Sequence, residues 1–115
     1  MGFRYKLIHH PQASADYNDT LNYFREVDEG LMDIFKDDFQ AALRGLATGR
    51  FGGTLYAQGH SVRWVKLRRF SHKIFFENEG AETRMVLAII SGKRHPNLIR
   101  QLIDGRGKSD VPSED

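Results

Sequence analysis

The chain has 115 residues, a net charge of +2 and no cysteine. That length holds one domain with a modest core, and the missing thiols exclude disulfides, thiolate nucleophiles and the usual structural zinc sites. Eight Phe, four Tyr and one Trp can fill the core, and no apolar run reaches the length of a membrane span. Met1–Pro11 lacks the long apolar segment of a signal peptide, and a cysteine-free chain suits a reducing compartment, so a soluble cytoplasmic protein with no membrane partner is expected.

Phe3–Ile8 alternates between apolar and polar side chains and reads as a strand ended by His9-His10-Pro11. Pro11 suits a first helical turn, where a missing N–H costs nothing. Ala13, Tyr17, Leu21 and Phe24 then form one apolar stripe, which predicts a helix over Pro11–Val27. Asp28 is a natural N-cap for a second helix, with Leu31, Phe35, Phe39, Ala42, Leu43 and Leu46 on its buried face and Gly49 as its stop. The short connection implies an antiparallel helical hairpin.

Residues 49–59 hold four glycines and read as a loop. Three strands are expected next: Val62–Arg69, a tight junction at Phe70-Ser71, His72–Glu77, a turn at Asn78-Glu79-Gly80, and Glu82–Ile90. The last is apolar on both faces and belongs inside the sheet. Pro96–Ile103 suggests a short final helix. Gly105–Asp115 has one apolar residue and is expected to be a disordered tail after a domain spanning 1–104. Helices segregated from a strand meander give an α+β fold: a helical hairpin packed on an antiparallel-rich sheet.

Charge is unevenly spread. Residues 1–48 hold five Lys/Arg against eight Asp/Glu, a net −3, whereas residues 60–100 hold nine against three, a net +6. Arg63, Lys66, Arg68 and Arg69 crowd one strand end, and Lys93, Arg94 and His95 follow another. A sheet that gathers these ends presents a positive surface suited to phosphate, nucleic acid or an acidic protein segment. The bland alternative is solvated charge.

Four segments in register carry a resemblance over Phe3–Ile103. They are the opening strand leading through His10-Pro11 into a helix, GLMDIFKDDFQAAL in the second helix, the basic-aromatic LRRFSHKIFFENEG, and the apolar strand MVLAIISGKRHP. Together they resemble the RelE/ParE superfamily of type II toxin–antitoxin (plasmid stabilisation) toxins. The LRRF and GKRHP segments are more similar to the ParE branch. That resemblance implies a RelE-like fold, no cofactor, and a cytoplasmic toxin that poisons DNA gyrase and is neutralised by a cognate antitoxin. The other branch of the family cleaves mRNA on the ribosome. Its members often carry a Tyr or His near the C-terminal end as acid or base, and here none follows His95. A third alternative is an inactive member that only binds antitoxin.

Metal-free RNA cleavage needs a base, an acid and cations at the phosphate. Lys66, Arg68, His72, Arg94 and His95 are the candidates for that chemistry. Arg68, Lys93 and Arg94 are the candidates for contact with target or phosphate, and Lys93-Arg94 stand out because they end a buried strand. Trp64, Met85 and Leu87 are expected to meet the antitoxin, because Glu82–Ile90 carries more apolar surface than one helical hairpin covers. Arg69 is expected to be structural. His9 and His10 are expected near the first helix cap, and His60 exposed in its loop. Asp33, Asp37 and Asp38 read as a solvated helix face, and no metal site is expected.

Overall fold

The computed structural model describes residues 3–106. The elements run β1 (Lys6–His9), α1 (Pro11–Val27), α2 (Glu29–Thr48), β2 (Thr54–Leu55), β3 (Val62–Lys66), β4 (Lys73–Asn78), β5 (Thr83–Ile90) and α3 (Pro96–Arg106). The five strands form one sheet in the order β1-β5-β4-β3-β2. Only β1 with β5 is parallel; the other three pairings are antiparallel. The expected α+β architecture is therefore the one observed.

The helix boundaries follow the capping chemistry. The His10 imidazole accepts the Gln12 N–H at 3.1 Å ahead of Pro11, and the Asp28 carboxylate accepts the Gly30 N–H at 2.7 Å. α2 stops at Gly49, whose φ of 81° is left-handed and whose N–H donates to the Leu46 carbonyl. The stripe of α1 and the buried face of α2 pack Ala13, Phe24, Phe35, Phe39, Ala42 and Leu46 against Ile74, Phe76, Val86 and Ile89 of the sheet.

The second face of the sheet has its own small core. Val62, Phe75, Leu87, Ala88 and Ile90 lie beneath Ile103 of α3, with Ile99 and Leu102 packed alongside. A bulge explains why adjacent residues share that face. Ala88 pairs with Phe75 and Val86 with Phe76, so Leu87 is one extra residue in β5. Leu87 and Ala88 then point together towards α3, while Val86 and Ile89 point to the helical hairpin.

Several boundaries differ from the sequence expectation, each for a local reason. The opening strand begins at Lys6, not Phe3, because the Arg4 and Tyr5 N–H groups both donate to the Ala47 carbonyl at the end of α2. Residues 54–55, expected as loop, form the edge strand β2, with Thr54 opposite Trp64. β3 ends at Lys66 rather than Arg69, because the Arg69 N–H turns away to Asp38 and Phe70 packs between Phe24 and Phe35. Gly105 and Arg106 belong to α3; the rest of the expected tail lies outside the described residues.

Candidate functional site

The basic strand ends meet at one end of the sheet. The loop of residues 67–72 joins β3 to β4 and is closed by the Leu67 N–H donating to the His72 carbonyl at 3.0 Å. Asp38, only 3% exposed, accepts the Arg69 N–H at 2.8 Å, and its carboxylate stands 4.0 Å from the Arg69 guanidinium. Asp38 is thus a buried anchor for the basic loop, not part of a solvated acidic face as expected; Asp33 and Asp37 are exposed. The expectation of a structural Arg69 agrees with this arrangement.

After β5 the chain turns back on this loop. The Gly92 N–H donates to the Ser71 carbonyl at 3.0 Å. A Cβ at residue 92 would come within 2.6 Å of that oxygen, so a glycine is what allows so close an approach. The Ser91 hydroxyl accepts the Lys93 N–H at 3.2 Å, and the Ser91 carbonyl accepts the Arg94 N–H at 3.1 Å. Lys93 and Arg94 are therefore carried on a hydrogen-bonded turn tied to the 67–72 loop.

Between this turn, that loop and α1 lies a groove of about 710 Å³, lined by Asp16, Asp19 and Tyr23 on the helix side and by Arg69, His72, Lys93 and Arg94 on the other. A second groove of about 620 Å³ runs between α3 and the sheet and holds Tyr56, Trp64, Lys73, Ile99 and Arg100. Arg94 lines both. Lys73 holds its ammonium 4.0 Å over the Trp64 ring.

Of the catalytic candidates, His72 and Arg94 line the first groove together, whereas Lys66, Arg68 and His95 lie outside it. Lys66 donates to the Leu67 carbonyl at 2.9 Å and lines a third hollow beside Gly52 and Gly53. Arg68 is exposed and lines none of these grooves. His72 sits edge-on to Phe35 at 5.3 Å and near Phe24 at 5.8 Å; its burial lowers the imidazole pKa below the ordinary 6.5. His95 is exposed, and its ring accepts the Asn97 N–H at 3.1 Å in the first turn of α3. Among the candidates for partner contact, Trp64 and Met85 are half-buried. Leu87 is corrected: at 0% exposure beneath α3 it is a core residue and offers no surface to a partner while α3 is docked.

Two further residues escaped the sequence reading. His60 is largely covered, not exposed: its ring accepts the Val62 N–H at 3.3 Å, stands edge-on to Tyr56, and lies 3.7 Å from the Asp104 carboxylate. Arg84 counts towards the basic half of the sequence but is 4% exposed. It donates to the Leu46 and Phe51 carbonyls and to Asn78, and its guanidinium lies 3.9 Å from the Tyr5 ring centre. Arg84 thus ties β5 to the end of α2. Once such engaged residues are set aside, Arg68, Lys93, Arg94 and Arg100 remain. They are exposed, and their side chains make no hydrogen bond or ion pair among the described residues. No group of three His, Asp or Glu able to hold a metal occurs among the described residues, and none of their helices is long and apolar enough to cross a membrane.

No family model matches the chain, and neither does any curated protein. Among solved structures it is similar to a chain of the chromosomal ParDE TA system from P. aeruginosa, with a TM-score of 0.65 and 17% identity, over 76% of this chain and 96% of that one. At that identity the likeness is one of fold, and it agrees with the RelE/ParE-like arrangement of three helices on a mixed five-stranded sheet.

Proposed function

We propose that this chain is the toxin of a type II toxin–antitoxin pair of the ParE kind, held by a cognate antitoxin and acting on DNA gyrase by binding. The observation that carries the reading is the fold likeness, which spans nearly the whole of a chain from a ParDE system. Dispersal of the catalytic candidates favours binding over cleavage. Lys66 is engaged with the backbone, His95 caps a helix, and Arg68 lies away from the groove that holds His72. A binding toxin needs only a positioned surface. Arg68, Lys93 and Arg94 supply exposed cations for the target, and Trp64 and Met85 supply half-buried apolar surface for the antitoxin.

The competing reading is ribosome-dependent mRNA cleavage. It rests on the first groove, where a largely neutral His72 imidazole stands in the same lining as Lys93 and Arg94. Induction in cells separates the two. A gyrase poison gives double-strand breaks, an SOS response and filaments while translation continues at first. Codon-positioned transcript ends within minutes would overturn the proposal. An absence of toxicity, with an antitoxin still bound, would mark an inactive relative.

A further inference from the structure

The last helix buries fewer residues than α2, as does α1, which buries only Ala13 and Phe24. α2 buries seven of its residues, whereas α3 buries only Ile103 among its eleven. An isolated helix of that length is marginal in water, so α3 depends on its docking. It is docked by Ile103 with Ile99 and Leu102 alongside, by Asp104 lying 3.7 Å from His60, and by one hydrogen-bonded ion pair. The Arg106 guanidinium, 8% exposed, donates to the Asp16 carboxylate of α1 at 2.7 Å and to the Leu87 carbonyl of β5 at 3.1 Å.

The place of this pair in the sheet explains its form. β1 pairs with β5 only as far as Val86, and the His10 N–H takes the Val86 carbonyl. Beyond that point β5 has no strand on its β1 side. The Asp16 carboxylate accepts the Ile89 N–H at 3.1 Å and Arg106 takes the Leu87 carbonyl, so two side chains replace the missing strand. If α3 leaves, Asp16 keeps its bond to Ile89, and the Leu87 carbonyl lies on a sheet edge that water can reach. Opening strands no buried polar group.

We propose that α3 is a lid over the second face of the sheet, that the Asp16–Arg106 ion pair is its catch, and that it opens as a unit while the rest of the domain stays folded. Opening bares Val62, Phe75, Leu87, Ala88 and Ile90. It is a property of the chain alone and holds whether or not the chain is a toxin.

Amide hydrogen exchange on the intact chain tests it, for wild type, Asp16→Asn, Arg106→Gln and the double variant. Asp16→Asn keeps an oxygen for the Ile89 N–H and removes only the charge. The α3 amides should exchange roughly 10- to 100-fold faster in each single variant, the size expected for a lost charged hydrogen bond. The β4 amides, and the β5 amides other than Ile89, whose acceptor is Asp16, should be unchanged, and the double variant should be no faster than the singles. The proposal is overturned if wild-type α3 amides exchange at the rate of the β5 core. It is equally overturned if the variants speed every amide alike.

Discussion

Arg84→Ala separates a structural arginine from a functional one. Arg84 makes three hydrogen bonds, at 2.9 Å to the Leu46 carbonyl, 2.8 Å to the Phe51 carbonyl and 3.1 Å to Asn78. In alanine all three are lost. The Leu46 carbonyl keeps only a long bond from the Gly49 N–H at 3.3 Å, and the Phe51 carbonyl loses its charged donor. A hydrogen bond to a charged group is worth about 1.5–3 kcal/mol, and cation–π contact with Tyr5 and Phe76 adds about 1–2 kcal/mol. Against this, the variant no longer buries a guanidinium, which recovers part of its desolvation cost. The net loss should be about 3–5 kcal/mol, as for other broken buried polar networks. With a urea slope of about 1–3 kcal/mol per molar, the unfolding midpoint should fall by at least about 1 M. Arg100→Ala, at an exposed position, should stay within about 0.5 kcal/mol of wild type. If Arg84→Ala unfolds at the same urea concentration as Arg100→Ala, the bonds assigned to Arg84 carry no stability and the reasoning fails.

Growth inhibition and thermal melting on one variant set test the basic turn. Arg68→Ala, Lys93→Ala and Arg94→Ala should lose toxicity, by roughly 1.5–3 kcal/mol per charge-assisted contact, while melting within about 0.5 kcal/mol of wild type. Phe39→Ala should instead lower stability by about 3–5 kcal/mol, because Phe39 is buried against Tyr17 at 4.5 Å. Three basic variants that stay fully toxic would reduce this surface to solvated charge. Gly92→Ala should push the 91–94 turn away from Ser71 and weaken toxicity more than it lowers the melting point; unchanged toxicity would show that the turn's position is unimportant. His72 links stability to pH. Its folded pKa lies below the ordinary 6.5, so the unfolded chain takes up the proton first, and stability is full above 6.5 and declines as pH falls below it. Urea midpoints at pH 7.5 and 5.5 should differ in that direction, and the difference should shrink in His72→Phe; an equal difference in the variant would assign the slope to other groups, His9 among them.

The parts of the fold that were legible in the sequence are those fixed by local chemistry. Periodicity marked the α1 stripe of Ala13, Tyr17, Leu21 and Phe24, and the caps at His10, Asp28 and Gly49 act over two or three residues. What escaped depends on partners far along the chain. Asp38 looked like one of three solvated acids because its neighbours Asp33 and Asp37 are; only a loop 31 residues away makes it a buried acceptor. The edge strand β2 is two residues in a glycine-rich stretch, and nothing short of its pairing with Arg63 and Trp64 reveals it. Leu87 reads as spare apolar surface because it shares with Met85 the face of β5 turned away from the helical hairpin, but α3 packs on that face and covers it. The 67–72 loop has one signal in the sequence: Phe70 follows three cations in four residues of the expected strand.

The same distinction changes the meaning of the charge count. Nine cations between residues 60 and 100 suggested one broad basic face. In the fold, Arg84 is consumed by the core and Arg69 is tied to Asp38. Arg63 donates to the Gly53 carbonyl, Lys66 to Leu67, and Lys73 lies on Trp64. Each has a local structural task, and removing it disturbs the fold along with any function. The four that remain, Arg68, Lys93, Arg94 and Arg100, are exposed on the loop after β3, the turn after β5 and α3. Lys93 and Arg94 are held to the 67–72 loop through Gly92 and Ser71, a backbone contact that needs neither of their side chains. Their charge is therefore positioned by the fold without being spent on it. That combination makes Lys93 and Arg94 the strongest candidates for recognising a partner.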